Sequence, residues 1–250
     1  MDTQPLKKFK ILLIGDACID IYVYGAVRRI SPEAPVPVFE PINELVKGGM
    51  ANNVCKNLET LGCSVDFLHG LVSKKTRLVD QHSKQHVIRI DEDVESDPLS
   101  FDTDIPSIYD AIVISDYNKG TVSYELIEEL LHTVDIPIFI DTKKTDLARL
   151  NGCYIKINAL EYSLIKTMPD PDWLIVTRGE KGAEWNGWQS VASRVEITDV
   201  TGAGDTFLAA LCYQFLTSRD MRQAIEFANL AAGVTVQHLG VYSPTLEEIQ

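Results

Sequence analysis

Short apolar runs alternate with amphipathic stretches along most of the chain. Six runs rich in isoleucine, leucine and valine are typical of buried strands, and they cover residues 9–14, 65–71, 111–115, 137–141, 154–157 and 173–177. Apolar residues recur at helical spacing in residues 51–61, 122–134, 204–216 and 221–236. Because strands and helices alternate, the pattern predicts an α/β fold with a mostly parallel sheet covered by helices.

Two segments do not fit this parallel core. Residues 36–46 contain Pro37 and Pro41, which suit an edge strand, and residues 76–91 alternate only loosely between polar and apolar positions. We expect both segments to form a small sheet that stands off the main body. Residues 1–250 are expected to form one domain with this appendage, since α/β folds often reach 250 residues as one unit.

The charge balance and the cysteines narrow the range of partners and compartments. The chain has 23 lysine and arginine residues against 36 aspartate and glutamate residues, which gives a formal net charge of −13. This balance argues against nucleic-acid and anionic-membrane binding, but a few local cations can still hold a phosphorylated ligand. No two of the five cysteines are spaced as Cys-x-x-Cys, and the N-terminal apolar run is too short for a signal segment. We therefore expect a cytoplasmic protein without a zinc site.

The strongest chemical signal is Asp-Val-Thr-Gly-Ala-Gly-Asp at residues 199–205, directly before an apolar helix. Gly202 and Gly204 let a ligand approach the backbone closely, and amides at a helix N-terminus favour an anion. Asp205 at the same turn could accept a proton from an attacking hydroxyl, or it could simply cap the helix. The dinucleotide fingerprint fails at Phe207, where it has its third glycine, and no P-loop or hydrolase-elbow motif occurs.

Three motifs in their expected order resemble those of the ribokinase-like (PfkB) carbohydrate kinases. They are the segment 199–205, the glycine pair 48–49 with Asn52 close behind it, and Asn158-Ala-Leu-Glu161. The resemblance covers nearly the whole chain. It implies a three-layer fold with a mostly parallel central sheet, flanking helices and a small β-sheet lid.

Within that family the chain is similar to the heptose 7-phosphate kinases of ADP-heptose synthesis. Four stretches carry this closer resemblance: residues 15–20, 29–37, 115–120 and 199–206. The chain departs from the family pattern where little remains between residues 71 and 75 and between 165 and 173. It therefore looks like a shortened kinase half without the nucleotidyltransferase domain that some relatives carry.

The resemblance implies roles around the catalytic turn and the acceptor sugar. Asp205 is the expected catalytic base, and Gly202, Ala203 and Gly204 form the expected anion hole for the transferred phosphoryl group. The expected acceptor is D-glycero-D-manno-heptose 7-phosphate, attacking through its anomeric hydroxyl. Its expected ligands are Asp16, Asp20, Gly48, Gly49, Asn52, Arg77 and Lys119. Simpler roles remain open for some of these residues. Asp16 and Asp20 could cap a helix or lie in a solvated turn, Asn52 could cap a helix, and Arg77 of the lid could point to solvent.

The resemblance also implies a site for ATP and Mg²⁺. Asn158 and Glu161 are expected at the ATP phosphates, with Glu161 holding Mg²⁺ through water, although both could simply start an exposed helix. The remaining expected nucleotide contacts are Thr177, Arg178, Gly179, Gly182 and Asn229. Small residues at positions 229, 232 and 233 would leave room for adenine, or they could serve helix packing.

The residues leave the exact activity open. The leading interpretation is an ATP-dependent kinase of a sugar phosphate. The alternatives are a kinase of another sugar and a non-catalytic protein that binds nucleotide or sugar. By resemblance the lid pairs with its copy, so we expect a homodimer, which would also cover isolated edge strands.

Overall fold

One sheet organises the chain. The structure is a computed structural model that describes residues 8–100 and 107–249. Ten strands of this described part form the sheet: β1 (Lys10–Ile30), β2 (Pro37–Met50), β3 (Ser64–Asp80), β4 (His86–Glu92), β5 (Ala111–Asp116), β6 (Ile138–Thr142), β7 (Cys153–Asn158), β8 (Leu174–Thr177), β9 (Ala183–Trp185) and β10 (Trp188–Ser190). The helices are α1 (Ala51–Thr60), α2 (Tyr124–Thr133), α3 (Ala159–Ser163), α4 (Ala203–Ser218), α5 (Met221–Thr235) and α6 (Leu246–Ile249).

The sheet has a parallel centre and antiparallel ends. Its strand order is β10-β9-β8-β7-β6-β5-β1-β3-β4, and β2 pairs with the outer half of β1. All pairs from β3 through β1 to β8 are parallel, whereas the pairs involving β2, β4, β9 and β10 are antiparallel. The α/β fold with a mostly parallel sheet, expected from the alternating pattern, is thereby confirmed.

Helices cover both faces of this sheet, and each face has its own hydrophobic core. On one face α1, α4 and α5 bury residues such as Leu58, Leu208 and Ile225 against the strands. On the other face α2 buries Leu126 and Ile127 against the same strands. The outcome is three layers, because a strand that is apolar on both sides must be covered twice. Among the described residues, no helix combines the length and apolarity needed to cross a membrane.

Strand β1 does not end at Gly15, as its apolar run suggested, but continues to Ile30. A Cβ atom on Gly15 would lie 2.3 Å from the carbonyl oxygen of Ser115, so this glycine allows close strand packing rather than a turn. The register with β3 shifts between Gly15 and Ala17, where the two residues Gly70 and Leu71 of β3 lie opposite the single residue Asp16. The Asp16 carboxylate accepts a hydrogen bond from the loop after β5.

The lid is an extension of the main sheet rather than a separate one. The outer half of β1 pairs with β2, and the outer half of β3 pairs with β4. Residues 65–71 and the start of the 76–91 segment, which looked like two elements, are one continuous strand, β3. The few residues between 71 and 75 are therefore enough to join core to lid.

Alternation along the lid strands gives the lid two different faces. Asp20 lies directly opposite Lys47 on β2 and Lys75 on β3, so these side chains share one face, together with Arg77. We call this the Asp20 face. The other, the apolar face, has exposed aliphatic side chains that include Ile19, Val46, Ile88 and Ile90.

The short hairpin β9–β10 at the far edge of the sheet was not predicted. Its strands have only three residues each, too few for alternation to be visible. Asn186 and Gly187 between them both have positive φ, and Asn-Gly between apolar residues is a strong signal for a tight hairpin turn. That signal was present in the sequence.

Candidate functional site

The N-terminus of α4 lies at the carboxyl ends of the parallel strands, where open α/β sheets bind ligands. Gly202 precedes the helix with a φ of 81°, a conformation that favours glycine. A Cβ atom on Gly204 would lie 2.8 Å from the Nζ of Lys156 and 3.9 Å from Asp141. The first turn of α4 therefore offers glycine backbone and an ammonium group at one point. That combination suits an anion.

Asp205 is buried in this first turn, and both of its carboxylate oxygens accept hydrogen bonds. Asn53 of α1 donates its Nδ2 to Oδ2 at 2.8 Å, and Tyr117 donates its hydroxyl to Oδ1 at 3.0 Å. Burial raises the pKa of Asp205 to about 6, and nearby Asp141 adds to this, while Asn53, Lys156 and Tyr117 oppose it. A carboxylate with a pKa close to neutrality is suited to accept and release a proton.

Lys156 and Asp141 form a largely buried ion pair beside the first turn of α4. The Lys156 Nζ lies 2.6 Å from Asp141 Oδ2. Burial opposes the lysine charge, but Asp141 more than offsets it, so the pKa of Lys156 lies above its usual value and the ammonium stays charged. A fixed cation at the helix N-terminus stabilises an anion without reorganising during a reaction.

Asp20 lies at the base of the lid and is paired with Arg77 at 2.5 Å. A Cβ atom on Gly49 would lie 2.1 Å from Asp20 Oδ2, so only glycine fits beside this carboxylate. Arg77 also lies over the ring of Tyr22, 5.1 Å from its centroid. The structure thus brings Asp20, Gly49 and Arg77, three of the expected acceptor ligands, together on the Asp20 face of the lid.

Asp16 and Asn52 have different surroundings from those expected of sugar ligands. Asp16 is 1% exposed, and its carboxylate accepts the backbone amides of Tyr117, Lys119 and Thr121. It therefore braces that loop and presents no free oxygen at the surface. The Asn52 amide donates to the carbonyls of Cys18 and Gly49 at 3.2 Å and so fixes the glycine turn, where Gly48 packs against Asn52 and remains exposed.

Lys119 was expected to contact a substrate phosphate, but it is paired with Asp93 at 2.8 Å. Its side chain is only 28% exposed. The acidic segment after β4 thus supplies an ion-pair partner for Lys119. Contact with a phosphate would require Lys119 to exchange that partner.

A cavity of about 590 Å³ lies between the loops after β8 and β10, α5 and the start of α4. Its walls include four residues that were expected at the nucleotide, together with small residues of α5 and the first residues of α4: Thr177, Gly179, Gly182, Asn229, Ala232, Gly233, Ala203 and Gly204. Asn229 is fixed in the wall by a 2.8 Å hydrogen bond to Ser190. Arg178 does not line the cavity, because its guanidinium pairs with Glu184 at 2.7 Å.

Asn158 and Glu161 form a capping box at the start of α3. The Asn158 side chain accepts the Glu161 amide at 2.9 Å, and Glu161 Oε2 accepts the Asn158 amide at 2.8 Å. The second carboxylate oxygen of Glu161 pairs with Lys143 at 3.0 Å. The helix-start alternative therefore holds for these residues in the absence of ligand. Within residues 8–100 and 107–249, no group of three or more metal-ligating side chains occurs.

Three side chains at this site were not assigned a role by the sequence: Asn53, Tyr117 and Asp141. Asn53 sits one residue after the expected Asn52, and helical geometry turns the two to different sides of α1. Tyr117 lies inside the segment 115–120 that carried the closer family resemblance. Asp141 and Lys156 end or nearly end apolar strands, a position where polar residues meet at the sheet edge.

The chain is similar in sequence to known carbohydrate kinases. A profile described as "pfkB family carbohydrate kinase" matches residues 127–249. The bifunctional protein HldE of a Nitratiruptor species is 34% identical over 305 aligned positions, covering 97% of this chain and 64% of that protein. HldE of Sulfurimonas denitrificans is 30% identical, with 98% of this chain and 65% of that protein covered. The chain thus spans just under two thirds of these curated relatives. Because this chain has 250 residues, at least 55 of the 305 aligned positions of the Nitratiruptor protein have no counterpart in it.

Solved structures give the fold. Phosphofructokinase-2 from Escherichia coli in complex with potassium has a TM-score of 0.71 at 15% identity, with 97% of each chain covered. Arabidopsis thaliana ribokinase complexed with ribose and ATP has a TM-score of 0.69 at 16% identity, again with 97% of each chain covered. The fold is ribokinase-like, as expected. The profile match over residues 127–249 and the sequence relatives together identify a PfkB carbohydrate kinase domain in this chain.

Proposed function

We propose that the chain transfers the γ-phosphoryl group of ATP to a hydroxyl of a sugar. One observation carries the proposal: the first turn of α4 is shared by two sites. Ala203 and Gly204 line the 590 Å³ cavity, while the adjacent Asp205 is buried against Asn53 and Tyr117. A nucleotide in the cavity could therefore place its terminal phosphate on the turn, next to a base for the acceptor hydroxyl.

In this mechanism the residues at the turn have separate roles. Asp205 accepts the proton of the sugar hydroxyl as its oxygen attacks phosphorus in line with the leaving ADP oxygen. The amides of residues 202–204 and the Lys156 ammonium stabilise the charge on the transferred group. Asp141 holds Lys156 in place through their 2.6 Å contact. No covalent enzyme intermediate is needed.

Magnesium fits the site only as a water-bridged ion. Glu161 is the carboxylate proposed to reach it, and one of its oxygens is already shared with Lys143. Mg²⁺ keeps several waters and is usually held by one or two carboxylates together with substrate phosphates. When bound, it would neutralise charge on the ATP phosphates.

The proposed acceptor is D-glycero-D-manno-heptose 7-phosphate, attacking through its anomeric hydroxyl. Residues 29–37 and 115–120 support it through their family resemblance, and the HldE proteins are the matching relatives. The Asp20 face of the lid adds a physical argument, since it carries the cations Lys47, Lys75, Arg77 and Arg89 against the carboxylates Asp20 and Asp91. Four cations against two carboxylates leave positive charge for a distal phosphate.

We also propose a homodimer formed through the apolar face of the lid. Ile19, Val46, Ile88 and Ile90 are each at least 40% exposed on that face. A second copy of the same face would remove these side chains from water, and a symmetric pair satisfies both copies at once. The lid pairing implied by the family resemblance has the same arrangement.

Replacing Asp205 by Asn should abolish most turnover while nucleotide binding survives. Asn keeps the size of the side chain but cannot accept a proton, and loss of a general base costs about 10²–10⁴-fold. The measurements are ADP release with heptose 7-phosphate and ATP binding by calorimetry. For the parent enzyme, kcat/KM should fall as the pH drops through about 6, where Asp205 becomes protonated. Near-normal turnover of the variant would mean that Asp205 is only a helix cap.

The same variant should also be more stable than the parent at neutral pH. A carboxyl group whose folded pKa is raised stabilises the fold below its unfolded pKa and loses that contribution as the pH rises through about 6. The asparagine side chain of the variant does not titrate. The difference in Tm between variant and parent should therefore grow between pH 4 and pH 7, as measured by calorimetry.

Enlarging Gly233 should block the nucleotide. A Cβ at this position meets nothing within 4 Å, and the residue lines the cavity on α5. Gly233→Leu should therefore place its side chain in the cavity and raise KM for ATP roughly tenfold or more, equivalent to about 1.4 kcal/mol. Gly233→Ala is the matched control and should bind ATP normally, with the helix stabilised by about 1 kcal/mol. Unchanged KM in the leucine variant would exclude this cavity as the ATP site.

A sugar phosphate should be preferred to the free sugar. A charge-assisted contact is worth about 1.5–3 kcal/mol, so kcat/KM should be about ten- to a hundredfold higher for heptose 7-phosphate than for heptose. Arg77→Met should reduce this ratio. Lys74 lies on the opposite face of the lid, so Lys74→Met should leave the ratio unchanged. Equal use of both sugars would refute the heptose-phosphate assignment and leave a kinase of unphosphorylated sugars.

Light scattering should give twice the 27.9 kDa mass of the chain at micromolar concentration. Ile88→Lys on the apolar face should produce monomers, because it would bury a charge in the interface. Leu164→Lys removes an equally exposed aliphatic side chain outside the lid and should remain dimeric. A monomeric parent chain would rule out the dimer.

A further inference from the structure

Tyr117 joins the base Asp205 to the loop after β5. Its hydroxyl donates to Asp205 Oδ1 at 3.0 Å, while Asn53 holds Oδ2 at 2.8 Å. One donor on each oxygen fixes the plane of the carboxylate. Asn53 comes from α1 and Tyr117 from a separate loop, so rotation of the Asp205 side chain would break at least one of the two bonds.

The backbone that carries Tyr117 is itself held in place. Asp16 accepts the amide of Tyr117 at 2.8 Å and the amide of Lys119 at 3.0 Å. Asp116 accepts the amide of Asn118 at 2.9 Å, and Asn118 has a φ of 58°. The left-handed conformation of Asn118 and the three amide hydrogen bonds to carboxylates hold this turn in one conformation. Two buried carboxylates therefore serve to place a single tyrosine.

The ring of Tyr117 is also fixed, because it is largely buried and the Nζ of Lys143 lies 5.3 Å from its centroid. Lys143 in turn pairs with Glu161 at the start of α3. A buried tyrosine hydroxyl requires a hydrogen-bond partner, and here that partner is the base. The tyrosine thus stands between the acceptor side and the nucleotide side of the site.

We propose that Tyr117 is a positioning residue for the phosphoryl transfer, holding the carboxylate of Asp205 in the orientation in which it receives the proton of the acceptor hydroxyl. The inference rests on the proposed function. It also gives Asp16 and residues 115–120 a role, because Asp16 holds the loop that carries Tyr117. Asp16 then affects the reaction of the sugar through Tyr117 and Asp205, without contacting the sugar itself.

Electrostatics gives this role a measurable consequence. The groups that face Asp205 are Asn53 on α1, Tyr117, Asp141 on β6 and Lys156 on β7. Asp141 raises the pKa of Asp205, whereas the Tyr117 hydroxyl, the Asn53 amide and the Lys156 charge lower it. Removing the hydroxyl removes one stabilising donor from the ionised form. The pKa of Asp205 should then rise above about 6, and the base should stay protonated to higher pH.

Tyr117→Phe tests the proposal, because it keeps the ring and its contact with Lys143 and removes only the hydroxyl. The acid limb of the kcat/KM profile should move up by about one pH unit, the shift expected for the loss of a hydrogen bond to a charged group. The plateau kcat should fall about tenfold through loss of orientation. KM for the acceptor sugar should not change.

Tyr109→Phe is the matched control. Tyr109 also donates its hydroxyl to a carboxylate, Asp66 at 2.8 Å, at the amino ends of the strands and away from the site. Its pH profile should equal that of the parent. Melting curves of both variants identify any general loss of structure.

The other possible results distinguish a failure of the positioning role from a failure of the proposed function. An unchanged profile and kcat in Tyr117→Phe, with Asp205→Asn inactive, would overturn the positioning role and leave the kinase intact. A rise in KM alone would show that Tyr117 contacts the sugar, which also overturns the proposal. Normal turnover of Asp205→Asn would instead refute the proposed function itself.

Discussion

The burial of the Asp205 carboxylate at the first turn of α4 is the constraint on which the rest of the site depends. A buried carboxylate is costly unless donors surround it, and here a helix N-terminus, an amide, a phenol and a nearby ammonium do so. Those donors come from four different parts of the fold. Any chain that places them correctly must first build the sheet, both covering layers and the loop after β5. The arrangement around this turn of α4 is therefore a product of the whole architecture.

Continuity of the two long strands links that turn to the lid. β1 passes from the buried core into the lid without a break, and β3 follows it over most of its length. Asp16 lies where the strand leaves the core, and its carboxylate orders the loop that carries Tyr117. Four residues farther along the same strand, Asp20 meets Arg77. One strand thus supplies both a brace for the loop beside Asp205 and a ligand candidate for the proposed acceptor.

Local charge at the site differs from the charge of the chain as a whole. The net charge is −13, yet ammonium groups gather at the strand ends, each beside a carboxylate: Lys144 with Asp116, Lys156 with Asp141, and Lys143 with Glu161. Such pairs keep the cations in place before a ligand arrives. A phosphate can then add to an arranged set of charges, and little side-chain ordering remains to be done.

The sequence by itself determined the elements of the parallel core and the family resemblance, and it predicted the turn before α4 as the centre of the site. Apolar runs indicated the strands of the parallel core, because residues buried on both faces leave a continuous hydrophobic signal. The segment 199–205 predicted an anion-binding turn with Asp205, since two glycines before a helix have few other uses. Thr177, Gly179, Gly182 and Asn229 were placed at the nucleotide by resemblance, and the structure gathers them around one cavity.

Only the tertiary structure decided which polar groups meet. Asp16 and Asp20 are four residues apart on one strand, yet the first lies under the loop after β5 and accepts its backbone amides, whereas the second lies in the lid beside Arg77. Asn53 rather than its neighbour Asn52 reaches Asp205, because a helix turns successive side chains by about 100°. The partners of Asp205 lie 88 and 152 positions away in the chain. A local sequence pattern cannot predict contacts between residues so far apart along the chain, because these contacts depend on the strand order of the sheet and on how the helices pack against it.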